Sequence, residues 1–366
     1  LAQTDTTVSS DRYQIQTRLG QYTRPVTFTP AKATPVNGAV TQNIVTSLQR
    51  LLNREAPFLK KGLVSPVGED RLSAWELVSD EGGSTHRQTA PNPLTYYAAG
   101  ISSSLLTQLE RSIQILDLDV EQVKVESRIL FRWSDIMTSR WAGFTDRVRV
   151  NILIQSSETP ERIKALKALA FQAWAVGQGL ANKTTIDAET VVNADAWAGL
   201  TPGRGRVETP VSMDNGFMLT NVTPDLNLQT IAFEKDLTLD FENLPNPVVF
   251  SEISIAESAH DPGRPYLHRI RAKSLTENYE TWELFSDDSV GYAGTDKAPT
   301  SWDYFTVGTS FCLMSQLTAN HMYFRKQGVK IEDFRVEHQF NYRLDHFMTP
   351  AMTGHLDLVV TRVIVN

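Results

Sequence analysis

The chain has 366 residues, 41% of them apolar, and a formal net charge of −7 from 35 Lys and Arg against 42 Asp and Glu. That length and apolar content suit two domains with proper cores, while the absence of a long basic run argues against a nucleic-acid partner. No apolar run reaches about 18 residues, so no helical membrane span is expected. A single cysteine, Cys312, excludes an intrachain disulfide and leaves the redox compartment open. The opening Leu1-Ala2-Gln3 fits either the tail of a removed export signal or an arbitrary start.

In chain order, the first amphipathic segment is Val40–Leu52. Val40, Ile44, Val45, Leu48, Leu51 and Leu52 fit one stripe of a helix that Asn37-Gly38 can start and Pro57 must end. A strand follows at Trp75–Glu81 ("WELVSDE"), then a loop with Gly82 and Gly83. A helix starts at Asn92, a capping residue with Pro93 behind it, and carries Leu94, Tyr97, Ile101, Leu105 and Leu109 on one face. Val148–Gln155 reads as a strand. Thr159-Pro160 begins a second helix with Ile163, Leu166, Ala170, Ala173 and Trp174 inward, ended by Gly177 and Gly179.

The chain then repeats itself. "WELFSDD" at Trp282 matches "WELVSDE" at an offset of 282 − 75 = 207, and "APTSWDYFTVG" at Ala298 matches "APNPLTYYAAG" at Ala90 with offset 298 − 90 = 208. "IEDFRVEH" at Ile331 matches "VEQVKVES" at Val120, with offset 331 − 120 = 211. Three collinear blocks point to a duplicated unit. In the second copy Thr300 caps a helix with Asp303 three residues on. Phe334, Val336, Phe340 and Tyr342 alternate with polar residues along a strand, and "HLDLVVTRVIVN" reads as the last strand. The expected organisation is an N-terminal extension with one helix at 1–54, a first copy at 55–200, a linker at 201–224 and a second copy at 225–366. Gly199–Pro210 belongs to the linker region. The second copy lacks room for a second helix; the Val40–Leu52 segment either supplies it or packs outside the first copy. Runs of strands beside few long helices give an α+β fold.

The stretches "GGSTHRQTAPNPLTYYAAGISSS" and "YAGTDKAPTSWDYFTVGTSFC" resemble the OsmC/Ohr family of organic hydroperoxide reductases. The resemblance implies antiparallel sheets wrapped on long central helices, in a tandem chain that amounts to a fused pseudo-dimer. It also implies a cytoplasmic location and thiol chemistry: a thiolate attacks the distal oxygen of a hydroperoxide and a sulfenic acid forms. By position Cys312, four residues after Gly308, matches the family's attacking cysteine, and Ser104, four after Gly100, takes that place in the first copy. The chain departs from the family in two ways. No resolving cysteine is present, so an external thiol reductant is implied. Trp302 and Leu94 fill the slot of the family's glutamate.

The candidate catalytic set is Cys312 with Arg271 and His268, from the segment where the family's arginine would lie, and Asp303, which serves equally as a capping-box carboxylate. Trp302, Tyr304 and Phe305 near the helix start, and His86 and Arg87 from the first copy's loop, are candidate contacts for a small apolar or aromatic substrate. His338, on the apolar face of its strand, reads as a satisfied core histidine. No metal-ligand spacing and no cofactor motif appears. Three functions remain open at this point: a single-cysteine thiol peroxidase or redox protein, a hydrolase or transferase with Cys312 attacking a carbonyl, and a non-catalytic binding protein of the same fold.

Overall fold

The computed structural model describes residues 16–19, 38–51, 56–67, 74–81, 88–134, 141–192, 250–261, 264–274, 282–289, 292–328 and 330–365. His86, Arg87 and the Gly199–Pro210 linker stretch lie outside them. The first half of the chain runs β1 (Gln16–Leu19), β2 (Val40–Arg50), β3 (Lys60–Val67), β4 (Ala74–Ser79), α1 (Pro93–Ile115), β5 (Val120–Ser134) and β6 (Ala142–Ser156). Then come α2 (Pro160–Ala173), α3 (Ala175–Ala181) and β7 (Thr185–Val192). The second half contributes β8 (Phe250–Asp261), β9 (Arg264–Ser274), β10 (Trp282–Ser286), α4 (Ser301–Arg325), β11 (Phe334–Asp345) and β12 (Thr353–Val365). The fold is α+β, as expected.

Helix starts follow their sequence signals. Asn92 accepts from the Thr95 N–H at 2.7 Å, with Pro93 at the first helical position. Thr159 does the same for α2, and Thr300 with Asp303 forms a reciprocal capping box on α4.

Val40–Leu52 departs from expectation. Val40–Arg50 is a strand, not a helix. Val40, Ile44 and Leu48 are four residues apart, a spacing that satisfies a period of two as well as one of 3.6, and β-branched Val40, Thr41, Ile44, Val45 and Thr46 favour the strand. β2 lies between β3 and β11, antiparallel to both, with Ile44 opposite Phe340 and Thr46 opposite His338. The segment therefore covers no sheet; it is part of one.

Neither sheet is confined to one half of the chain. The first has the order β1-β4-β3-β2-β11-β12-β7 and the second β10-β9-β8-β5-β6. The four strands that precede α1 thus share a sheet with the two that follow α4, and β8, β9 and β10 share one with the two that follow α1. All pairings are antiparallel except β12 with β7. Helix α4 packs on the first sheet through β2, β3 and β11, and α1 packs on the second through β5, β8 and β9. The two helices pack against each other, and most of the buried apolar residues form one continuous cluster around them.

The helix pair crosses on two glycines. A Cβ at Gly308 would come within 2.5 Å of the Tyr97 amide nitrogen, and one at Gly100 would collide with the Phe305 backbone. These contacts are related by the repeat offset, since 97 + 208 = 305 and 100 + 208 = 308. They also run antiparallel, because the later residue on one helix meets the earlier one on the other. Glycine is required here for close approach, not for its backbone freedom.

Gly308→Ala should therefore force the helices apart and cost about 1–3 kcal/mol, as overpacking does. Urea denaturation should show a clear loss for Gly308→Ala and none for the exposed control Lys330→Ala; equal midpoints would contradict the close crossing.

Candidate functional site

Cys312 sits one turn beyond Gly308 on α4 and is half-buried, outside any disulfide. Gly308 meets the Tyr97 backbone, and Cys312, one turn on, is near enough to influence the Tyr97 phenol of α1 electrostatically. Burial pushes the Tyr97 phenol well above its usual range; a hydrogen bond with Thr145 lowers it, and the neighbouring Cys312 raises it further. Thr145 stands opposite Phe131 across the β5–β6 ladder and is exposed. The Tyr97 ring sits among other aromatics. Tyr97 packs on Phe305 with ring centroids 4.9 Å apart and on Phe131 at 5.7 Å, and Phe131 continues to Trp133 at 6.3 Å.

The matching position on α1 is built differently. Ser104 is fully buried, donates to the Ile101 carbonyl and accepts a 2.8 Å hydrogen bond from the Trp174 indole N–H. Trp174 occupies the break between α2 and α3 with ψ near 87°, where sequence reasoning had continued one helix to Gly177. A side chain at Gly177 would run into the Trp174 indole, so that glycine lets the ring lie flat against the backbone. Phe305, at the place corresponding to Tyr97, carries no hydroxyl. One of the two corresponding positions thus has a thiol and a phenol, and the other has a serine and a phenyl ring sealed by an indole.

The other candidates are distributed elsewhere. Arg271 does not join the thiol. Ile270 and Ala272 of β9 point into the core, and alternation turns Arg271, with Arg269 and Lys273, to the face away from α1. His268 is fully buried but serves the distal half of α1. Its Nε2 lies 2.8 Å from Glu110 Oε2 and its Nδ1 3.4 Å from Ser286 Oγ. The antiparallel crossing carries Glu110 and Cys312 away from it in opposite directions, which separates His268 from the thiol. The same region holds the buried ion pair of Arg111 with Asp288, and the guanidinium also faces the rings of Tyr266, Tyr292 and Phe347. Burial pushes the Asp288 carboxyl upward, with Arg111 and His268 opposing.

Asp303 is the capping-box carboxylate, accepting from the Thr300 N–H at 2.7 Å. Trp302 stacks on Tyr342 at 4.8 Å, and Tyr304 donates to the Phe285 carbonyl, so both are core residues; of the three aromatic candidates Phe305 alone lines the Tyr97 contact. Tyr97 and Thr145 are the residues missed. Tyr97 was legible only as one aromatic among several near the helix start. No local signal connects it to a cysteine more than two hundred residues away.

His338 is satisfied in the core. Its Nδ1 lies 2.7 Å from Ser310 Oγ, which also bonds Thr46 Oγ1 at 2.8 Å. Among the described residues no group of three or more His, Cys, Asp or Glu is placed to hold a metal ion. No helix among them is long and apolar enough to cross a membrane.

No protein-family model matches the chain, and no curated protein sequence matches it. Among solved structures the chain is similar to an OsmC-like hydroperoxide resistance protein from Jannaschia sp. CCS1, at 21% identity and a TM-score of 0.25, over 40% of this chain and 89% of that one.

Burial pushes the His338 imidazole down to about 4 from its ordinary 6.5. Between these values the unfolded chain takes up a proton that the folded chain refuses, so stability falls as pH drops through the window, by about 3 kcal/mol in all. His338→Gln, which keeps a hydrogen-bonding group but does not titrate, should flatten the stability curve between pH 6.5 and 4; parallel curves would place the acid sensitivity elsewhere.

Proposed function

We propose that the chain is two OsmC-like units fused into one intertwined pair, acting as a single-cysteine, thiol-dependent redox protein on organic hydroperoxides. The order of three strands, a long helix and two strands occurs twice, with matching motifs and glycines, which supports the fused-pair reading. One observation carries the functional reading. Of the two corresponding helix positions, the thiol-bearing one is half-buried and near Tyr97, while the serine-bearing one is fully buried and bonded by Trp174. Among the described side chains the two buried histidines are engaged by Glu110 and by Ser310, which favours peroxide chemistry over a histidine-activated attack on a carbonyl.

In this reaction the Cys312 thiolate attacks the distal oxygen of the hydroperoxide. A sulfur–oxygen bond forms, the oxygen–oxygen bond breaks, and an alkoxide leaves and is protonated to the alcohol, giving the sulfenic acid. With one cysteine in the chain, an external thiol condenses with the sulfenic acid, releasing water. A second external thiol then reduces the mixed disulfide.

Treatment with one equivalent of cumene hydroperoxide should add about 16 Da, localised to Cys312 by peptide mapping and trapped by dimedone as a sulfenic acid. Cys312→Ser should give no dimedone adduct and keep the same thermal midpoint, because the volumes are close. An unmodified Cys312 after this treatment would sink the redox reading.

A further inference from the structure

We infer that the open face of α4 is a docking site for an acidic amphipathic helix of a partner protein, the counterpart of the helix that α1 already carries. On α1 that face is occupied. α2 and α3 pack on it, with the Trp174 indole N–H donating to Ser104 at one end and Arg162 donating to the Leu116 and Asp117 carbonyls at the other. Between those points Ser104, Gln108 and Ser112 form a row four residues apart, and all three are buried.

The repeat offset carries this row to α4, since 104 + 208 = 312, 108 + 208 = 316 and 112 + 208 = 320. There Cys312, Gln316 and Asn320 are half-exposed. So are Leu313 and Leu317, whose counterparts Leu105 and Leu109 are fully buried. Phe324, at the end of the row, is 38% exposed. Among the described residues α4 is engaged by α1, β2, β3 and β11, and nothing packs on this face as α2 packs on α1. A second wall is open in the same way. α2 and α3 also lie on β12, and its counterpart β6 turns Val150, Ile152 and Ile154 to the helix layer, each only partly buried. An apolar stripe of this kind is what a helix-in-groove contact uses.

Charge chooses the occupant. α1 ends in an acidic turn with Asp117 and Asp119 exposed, and α2 meets that end with the cations Arg162, Lys164 and Lys167. The corresponding residues after α4 have the opposite sign. Asp117 corresponds to Arg325, as 117 + 208 = 325, and Asp119 to Lys330, as 119 + 211 = 330. Both are exposed, as is Lys326 between them. A helix lying on α4 as α2 lies on α1 must therefore bring carboxylates where α2 brings cations. Acidic residues in a first turn also suit that helix's own dipole. The α2 of a second copy carries the wrong charge for this place.

Two peptides test the inference on the full chain by fluorescence anisotropy: residues 159–181, and the same peptide with Arg162→Glu, Lys164→Glu and Lys167→Glu. The charge-reversed peptide should bind about tenfold or more tightly than the native one, and the difference should shrink in about 1 M salt. Arg325→Glu combined with Lys330→Glu, at two exposed positions, should invert the preference and leave the thermal midpoint unchanged. Gln316→Glu, which puts a charge on the stripe itself, should weaken the charge-reversed peptide about tenfold. Equal affinities for the two peptides, affinities insensitive to these substitutions, or no binding of either would overturn the proposal. A dimer of the chain alone, dispersed by Gln316→Glu, would give the face to a second copy and overturn it as well. The peroxide reactivity of Cys312 enters none of these results, so the redox reading stands or falls separately.

Discussion

The close crossing of α1 and α4 is the constraint on which the rest of the structure depends. Two helices with side chains at their contact normally lie 8–10 Å apart; Gly100 and Gly308 bring backbone against backbone and fix the antiparallel register. That register decides which residues share a site. Moved one turn along, Cys312 would lose Tyr97, and Phe305 would lose its ring partner. The sheets then hold the crossing in place, because each is assembled from strands on both sides of the long 193–249 segment and neither can form without both halves.

Around this centre several backbone contacts recur in both halves, while the chemistry differs. Tyr96 and Tyr304 stack on each other and donate to the Val78 and Phe285 carbonyls, a pair of matching bonds that secure each helix to its preceding strand. Asp80 and Asp287 both receive hydrogen bonds from the loop that leads into the helix. The polar interior differs. His268 faces Glu110 on the α1 side, while the corresponding place on the α4 side holds Lys60, whose ammonium reaches Ser315 and Glu81. Buried charges are tolerated only when paired, and each half has found its own pairing. The same divergence separates the Cys312 site from the one that Ser104 and Trp174 have filled.

Much of the local structure was legible in the sequence, because its signals are local. The caps at Asn92, Thr159 and Thr300, the strands around Trp75 and Trp282 and the alternation through Phe334–Tyr342 are all determined by neighbours within a few residues. β2 was misread because a four-residue spacing belongs to both periods, and burial on both faces of a central strand erased the alternation that would have distinguished them. Placing Arg271 near the thiol failed for a related reason: position along a strand says which segment is near, but alternation says which face. The exchange of strands between halves leaves no local trace, since it depends on pairings nearly three hundred residues apart. The electrostatic influence of Cys312 on Tyr97 depends on the helix register, and so it had to be seen in three dimensions.

The central claim is that one of two corresponding helix positions is an open reactive site and the other is closed. It is tested most directly by comparing the wild-type thiol with one introduced by Ser104→Cys in the Cys312→Ser background, under native conditions, with a small alkylating reagent. The account predicts prompt labelling of Cys312 and labelling of the introduced thiol only when the protein is unfolded, because Trp174 covers that position. Equal labelling rates in the folded protein would contradict it.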